Sequence, residues 1–538
     1  MEVTSKPETK NVRLPKDGLA GLKENFSADA VSGFIVFLLA MPLSLGIAKA
    51  SDFPPIYGIL TAIVGGLVVS FFAGSRLTVK GPAAGLIVIC AEAVAEFGKG
   101  DAALGWHLAL GAIVVAGAIQ VLFGFLKFGK YSDFVPSSAI HGMLAAIGII
   151  ILSKQIHALL GIDPNTLKGL QPLGLLARIP ASLQTMDWKH ALIGVVSLAI
   201  VLGMPMIRNK WIEKIPATLV VLLIAIPLEL KFDFRRTDPA FDLGSMGNLT
   251  DAVRMNVDFG GMADYLTFIK FVALFALIGS IESLLTVKAI DNMDPYHRKS
   301  NTNKDLIAVG IGNMVSGFLG GLPMISEVAR SSSNVNNGAK TRWANFFHGF
   351  WLLVFVLTAQ PIIELIPNAA LAALLVAVGY KLAHPKEFCH ALHVGKEQFV
   401  VFVATIIITL STDLLVGVFS GIAIELAWNY FTGKTSLKNL FKPNVAIERM
   451  EEQKHHYVKI SESLTFSNYM GFMKQIEDIP DHDNVTIDLS DIALVDHTAL
   501  QNLASLARNH ENAGGKLEIV GLNGKQVLGK SEASARKG

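Results

Sequence analysis

Apolar side chains in this chain neither alternate nor keep to one helical stripe; they come in long unbroken runs separated by short polar joints. The first 25 or so residues are polar and mixed in charge, unlike a signal peptide. Val31 to Ala48 then carries no charge and is predicted to be a retained membrane span. Further runs follow at about 56–74, 82–97, 103–126, 134–153, 190–207 and 215–230. After a polar stretch rich in Asp, Arg and Gly, others lie at about 267–287, 305–322, 326–338, 343–363, 367–381, 397–411 and 413–431. The count is about fourteen, seven on each side of the polar stretch. A complete crossing needs roughly 20 residues. The third run, after Gly81-Pro82, is brief and carries Glu92 and Glu96. The tenth, after Leu322-Pro323, is shorter still, with few large apolar residues from Ser331 to Asn337. Short, Gly/Pro-interrupted segments at matching places in two halves point to a transporter binding site.

Seven segments per half require the halves to be inverted relative to each other. The positive-inside rule then places both termini in the cytoplasm. Inward loops would carry Arg76, Lys80, Lys127, Lys130, Arg208, Lys210, Lys214, Lys288, Arg298, Lys299, Lys304, Lys340, Arg342, Lys381 and Lys386. Long outward stretches are expected at 154–189 and 231–266. After about Thr432 the pattern becomes that of a soluble layered αβ unit. Tyr457–Ile460, Val485–Leu489 and Leu517–Val520 read as strands, and Ala499–Asn512 as an amphipathic helix ended by Gly514-Gly515. The expected domains are a cytoplasmic N-terminal segment (1–27), a transmembrane transport domain (28–432), a linker (433–454) and a cytoplasmic αβ domain (455–538).

Composition removes the main competitor. Of 538 residues, 51% are hydrophobic and 17% charged, where about 25% charged is usual, too few for a soluble skin. A net charge of +2 argues against nucleic acid as a partner. The cysteines, Cys90 and Cys389, lie in apolar stretches, so no disulfide framework is expected. No nucleophile–base pair or metal-ligand cluster stands out, so neither catalytic residues nor a metal site nor a cofactor is expected.

Several stretches carry a resemblance to the SulP family of anion permeases, which includes sulfate permeases, bicarbonate carriers and prestin. They are Ala40-Met41-Pro42-Leu43-Ser44-Leu45-Gly46, Phe53-Pro54-Pro55-Ile56-Tyr57-Gly58, and Gly74-Ser75-Arg76 leading to Val79-Lys80-Gly81-Pro82-Ala83-Ala84. Gly279 to Thr286 and Asn313 to Pro323 continue the series. The C-terminal part resembles a STAS domain through Leu464 to Asn468, Asp488-Leu489-Ser490 and Asp496-His497-Thr498-Ala499. The resemblance implies a polytopic α-helical seven-plus-seven inverted-repeat fold. Its third and tenth segments would be half-helices, each after a short strand, with N-termini meeting around the substrate. It further implies a core of segments one to four and eight to eleven moving against a scaffold, and a homodimer with STAS contacts.

Helix N-termini carry roughly half a positive charge and free N–H donors, so two of them make an anion cradle. Here one begins at Gly81-Pro82, with Pro82 suited to the first helical turn and Ala83 leaving the approach open. The other begins near Ser326, expected as cap and donor, and runs through Glu327, Val328 and Ala329 to Arg330. A charge inside a membrane segment is a functional hypothesis by default. The alternative is that Arg330 snorkels to the cytoplasmic face, and Glu327 stands ready to neutralise it. Glu282 lies in the apolar run from Phe271 to Val287. It either changes protonation during transport or holds Na⁺ with Thr286; by resemblance, glutamate there favours H⁺. A plain salt bridge from Glu282 to Lys270 or Arg330 is the structural alternative. Ser44 and Thr78 are further donors, whereas Gln120, His141 and Glu425 read as links between helices. Thr498 falls where related domains carry a phosphorylatable serine, although a helix-capping Thr needs no regulation to explain it.

The expectation is a secondary transporter of a small inorganic oxyanion, sulfate or bicarbonate, in the inner (plasma) membrane with the lipid bilayer around it. Its rivals are a dicarboxylate or chloride exchanger, a nucleobase permease of the same fold, a prestin-like motor and a STAS signalling scaffold.

Overall fold

The computed structural model describes residues 14–129, 136–167, 170–207, 209, 212, 215–234, 246–296, 298–433, 436–450, 455–480, 482–512 and 514–538. Lys130, Arg208, Lys210 and Lys214 of the expected inward loops lie outside them. The apolar runs fold as helices. In the first half these are α1 (Gly18–Ala50), α2 (Pro55–Phe72), α3 (Ile87–Gly98), α4 (Ala102–Phe125), α5 (Ser137–Leu159), α6 (Trp188–Gly203) and α7 (Ala217–Phe232). The second half supplies α8 (Tyr265–Met293), α9 (Thr302–Leu319), α10 (Val328–Asn336), α11 (Trp343–Ile363), α12 (Asn368–Leu382), α13 (Lys396–Ser411) and α14 (Leu414–Gly433). The expected loop at 154–189 is partly helical, since α5 continues to Leu159 and Pro172–Gln184 forms another helix.

Each half begins with two long helices, a short strand leading into a half-helix, and another long helix. The strands are β1 (Val79–Pro82) and β2 (Met324–Glu327). They pair antiparallel, Val79 opposite Glu327 and Pro82 opposite Met324, so the half-helices enter from opposite directions, as an inverted repeat requires. With 12 and 9 residues, α3 and α10 extend only about 18 and 14 Å at the usual helical rise. The strand pair satisfies backbone groups that lipid leaves unpaired, which is why irregular backbone survives there.

Packing divides the chain into two units, the first holding α1–α4, α6–α11 and α12 as far as Leu375. Small residues bring its backbones together. A Cβ on Gly66 of α2 would stand 2.5 Å from the Cα of Gly349 on α11, and one on Gly117 of α4 would stand 2.8 Å from the Gly310 carbonyl oxygen on α9. Pro42, inside α1, has no N–H for the Leu38 carbonyl. Thr218 of α7 donates to that carbonyl instead, at 3.4 Å.

The second unit holds most of α5, α13, α14 and the C-terminal domain. Within residues 433–454, expected as a linker, Leu437–Phe441 is helical and Asn444–Met450 forms β3. The other strands are β4 (His455–Leu464), β5 (Asn484–Asp488), β6 (Ile492–Val495), β7 (Lys516–Val520), β8 (Gln526–Val527) and β9 (Arg536–Lys537). Their order is β7-β5-β4-β6-β9-β8, with β3 antiparallel to β4. Glu462, at φ +70°, marks the bulge where β4 passes from β5 to β6. Helices α15 (Phe466–Gln475) and α16 (His497–Asn512) cover the sheet, burying Phe472, Leu500 and Leu503.

This domain is joined to the membrane helices of its unit by specific bonds. Asp496 caps α16 through the Ala499 N–H (2.8 Å), accepts from the Phe466 N–H (2.7 Å) and receives the Asn429 amide of α14 (3.1 Å). Thr498, which falls where related domains carry a phosphorylatable serine and was expected to cap α16, does not cap it; Asp496 does. Thr498 is buried, and its hydroxyl oxygen accepts from the Ser137 N–H at the start of α5 (3.1 Å). The links expected of Gln120, His141 and Glu425 are present. Gln120 accepts from Asn313 (2.7 Å), His141 faces Glu387 (3.6 Å), and Glu425 accepts from Ser138 (2.6 Å) and Gln398 (3.2 Å).

Candidate functional site

The site is built where β1 and β2 pair and hand over to α3 and α10. Alternation along a strand sends neighbouring side chains to opposite faces, and that corrects one expectation. Ser326 belongs to β2 and does not cap α10; its hydroxyl donates to Asp305 of α9 (3.1 Å), while its N–H donates to Ser283 of α8 (3.1 Å). Glu327, facing the other way, is the cap and accepts from the Arg330 N–H (2.8 Å). Pro82 is likewise in the strand rather than in the first helical turn. Ala83 follows in extended conformation, then a 3₁₀ turn at Ala84–Leu86 leads into α3.

Arg330 does not snorkel. It is 0% exposed, and its three guanidinium nitrogens have no hydrogen-bond partner among the described residues. The nearest carboxylate oxygen, Oε2 of Glu327, lies 3.9 Å from Nε. A Cβ on Gly81 would stand 2.2 Å from Nη1, so the missing side chain makes room for the guanidinium against β1. Val328 and Ala329 form the turn between Glu327 and Arg330.

Glu282 is buried on α8, and its Oε1 has no hydrogen-bond partner among the described residues. The expected alternative partner, Lys270, pairs instead with Glu96 of α3 at 2.7 Å. The Glu282 carboxylate lies against Gly85, where a Cβ would come within 2.1 Å of Oε1. Thr286, one turn further, is also buried. Ser44 is buried in α1, with its hydroxyl already donated to the Ala40 carbonyl (2.7 Å).

Sequence reasoning missed the ion pair beneath the strands. Lys80, expected in an inward loop, is wholly buried in β1. Its Nζ lies 2.9 Å from Asp305 Oδ1 and contacts the Thr78 hydroxyl. Asp305 also accepts from the Gly74 and Ser75 N–H groups (3.1 and 3.0 Å). One carboxylate therefore holds the entry loop, β1 and β2 together. The available signal was Asp305 at the head of a run otherwise read as apolar, and Lys80 directly before Gly81-Pro82. Asn345 of α11 was also missed; it accepts from the Lys80 N–H (3.2 Å) and donates to Ser70 (2.8 Å).

Two half-helices meeting through paired strands inside a polytopic helical body form the layout expected of a membrane transporter. Residues 26–405 match the sulfate permease family, and residues 448–529 match the Mlab, STAS domain. The chain belongs to the sulfate permease family of anion transporters. The putative sulfate transporter YvdB of Bacillus subtilis is 27% identical over 524 residues, spanning 94% of either chain. The bicarbonate transporter BicA of Picosynechococcus is 25% identical over 430 residues, 79% of this chain and 71% of that one. The solved transmembrane domain of a cyanobacterium bicarbonate transporter BicA superposes with a TM-score of 0.65 at 25% identity, covering 73% of this chain and 97% of that one. Murine Slc26a9 in its inward-facing state shares the fold, with a TM-score of 0.66 at 16% identity over 96% and 90% of the chains.

Proposed function

We propose that the chain is a proton-coupled transporter of a small inorganic oxyanion, sulfate or bicarbonate, working by alternating access. The observation carrying this reading is the seat of Glu282 against Gly85, in the first turn after β1. Helix N-termini attract anions, so an ionised Glu282 competes with substrate for the N-terminus of α3. Glu327 already occupies that of α10. Lys80 and Arg330 thus share the site with three carboxylates: Glu282, Glu327 and Asp305. A proton on Glu282 balances this set and removes the competing charge from the first turn of α3, leaving that helix end to the anion, which also meets the guanidinium of Arg330. Loss of the proton restores the competitor and expels the anion, so the two move together.

Gly81, Pro82, Ala83, Ser326, Val328 and Ala329 would shape the cradle, with Ser44 lining its approach. Segments one to four and eight to eleven would carry the anion past the remaining six. The protein would sit in the plasma (inner) membrane with both termini cytoplasmic, as a dimer with STAS contacts. Named relatives that transport bicarbonate or are assigned sulfate support the substrate class. Burial of Glu282 one turn from Thr286 favours Na⁺ coupling as the second reading. Counterflow in proteoliposomes with sulfate, bicarbonate, chloride and fumarate, each with and without Na⁺ and a pH gradient, separates these. Uptake of a labelled oxyanion driven by an inward H⁺ gradient supports the proposal, and transport indifferent to that gradient overturns it.

A further inference from the structure

Arg330 is not alone in having side-chain nitrogens without a hydrogen-bond partner among the described residues. His348, on α11, is also 0% exposed, and neither of its ring nitrogens has a hydrogen-bond partner among the described residues. Its position follows from its neighbours. Asn345, almost one turn earlier, binds the backbone of Lys80 next to Gly81, and Gly81 lies against the Arg330 guanidinium. Gly349, the next residue, meets Gly66 of α2, and the His348 N–H itself lies against Gly33 of α1. Buried polar groups are nearly always hydrogen-bonded, and an orphaned one in a native fold points to a water, an ion or a ligand. Here five nitrogens are orphaned on two buried side chains, which the contacts of Asn345 with Lys80 and of Gly81 with Arg330 link.

We propose that His348 is a second contact for the transported anion, sharing it with Arg330, and that the site therefore favours a polyatomic oxyanion over a halide. This rests on the anion-transport reading above and extends it. A guanidinium only donates, whereas an imidazole donates from one nitrogen and accepts at the other. An oxyanion has separate oxygens with which to meet groups on two different helices. Chloride is a single centre. Imidazole also serves either protonation state of the guest, because it accepts from the O–H of bicarbonate and donates to the bare oxygens of sulfate.

The test is the full-length protein in detergent, with thermal unfolding followed against bicarbonate, sulfate and chloride at fixed pH. The wild type is expected to be stabilised by at least one oxyanion. His348→Phe, which removes two orphaned nitrogens but fills the space, should unfold at or above the wild-type temperature without ligand. Its oxyanion affinity should fall tenfold or more, as expected for a lost hydrogen bond to a charged ligand. Any chloride response should change less than threefold, and His348→Asn should recover part of the oxyanion affinity. If His348→Phe destabilises the ligand-free protein yet binds oxyanion normally, the ring is structural and the inference fails. If the wild type responds to no anion, the transport reading fails and this inference falls with it.

Discussion

The carboxylate of Glu282 and the backbone of Gly85 touch across the first turn after β1, so closely that no side chain fits between them. Gly85→Ala should therefore displace the carboxylate from the α3 N-terminus. Uptake should drop more than tenfold at every pH. Glu282→Ala added to Gly85→Ala should restore anion binding measured by thermal shift, because the steric conflict and the competing charge leave together.

Coupling is tested at Glu282 itself. In Glu282→Gln the group is fixed in a neutral form, so the pH dependence of uptake should disappear while exchange of labelled for unlabelled anion persists. A mutant whose uptake follows the wild-type pH profile would remove Glu282 from the coupling role.

Lys80 and Asp305 are 0% and 1% exposed. Breaking a buried pair leaves an uncompensated charge and costs about 3–5 kcal/mol, whereas apolar replacement of both partners is often neutral. Asp305→Asn should lower the unfolding temperature sharply. Lys80→Met with Asp305→Leu removes both charges and should recover most of that loss, but not the three hydrogen bonds that Asp305 accepts from the entry loop and Ser326. Denaturation of the purified proteins in detergent, compared across the wild type and the two variants, measures this directly.

Asp496 makes the C-terminal junction sensitive to pH. Burial pushes its carboxyl up from 3.8 to about 6. Its folded form thus holds a proton that the unfolded form gives up, so its contribution to stability weakens as pH rises from about 4 to about 6. Protection of the Phe466 and Ala499 amides, which both bond its oxygens, measured against the intrinsic exchange rate at each pH, should fall over that interval in the wild type. In Asp496→Asn this pH dependence should be lost.

How far a sequence carries is shown by Ser326, Glu327 and Arg330. Their order announced a half-helix beginning and a charge with no place in lipid. Which of the first two caps the helix was not legible, because the cap depends on where the strand ends, and that depends on pairing with Val79 some 250 positions away. Lys80 was misread for a related reason. A lysine between polar joints reads as a loop cation until its partner, Asp305, arrives from another helix. His348 stands among aromatic residues in an apolar run; that its ring has no hydrogen-bond partner among the described residues is visible only once its neighbours are in place.

The number of segments, the two short ones, the repeat and the soluble tail follow from run length and composition alone, because the bilayer imposes one length scale and one polarity on every crossing. Local sequence likewise exposes the costly residues Glu282, Glu327 and Arg330. Only the tertiary structure decides their states. Strand pairing sets which side chain caps, Gly81 and Gly85 set which charge reaches which helix end, and a remote carboxylate sets whether a lysine is solvated or buried. These are contacts between residues far apart in the chain, and their energy depends on distances that no local pattern specifies.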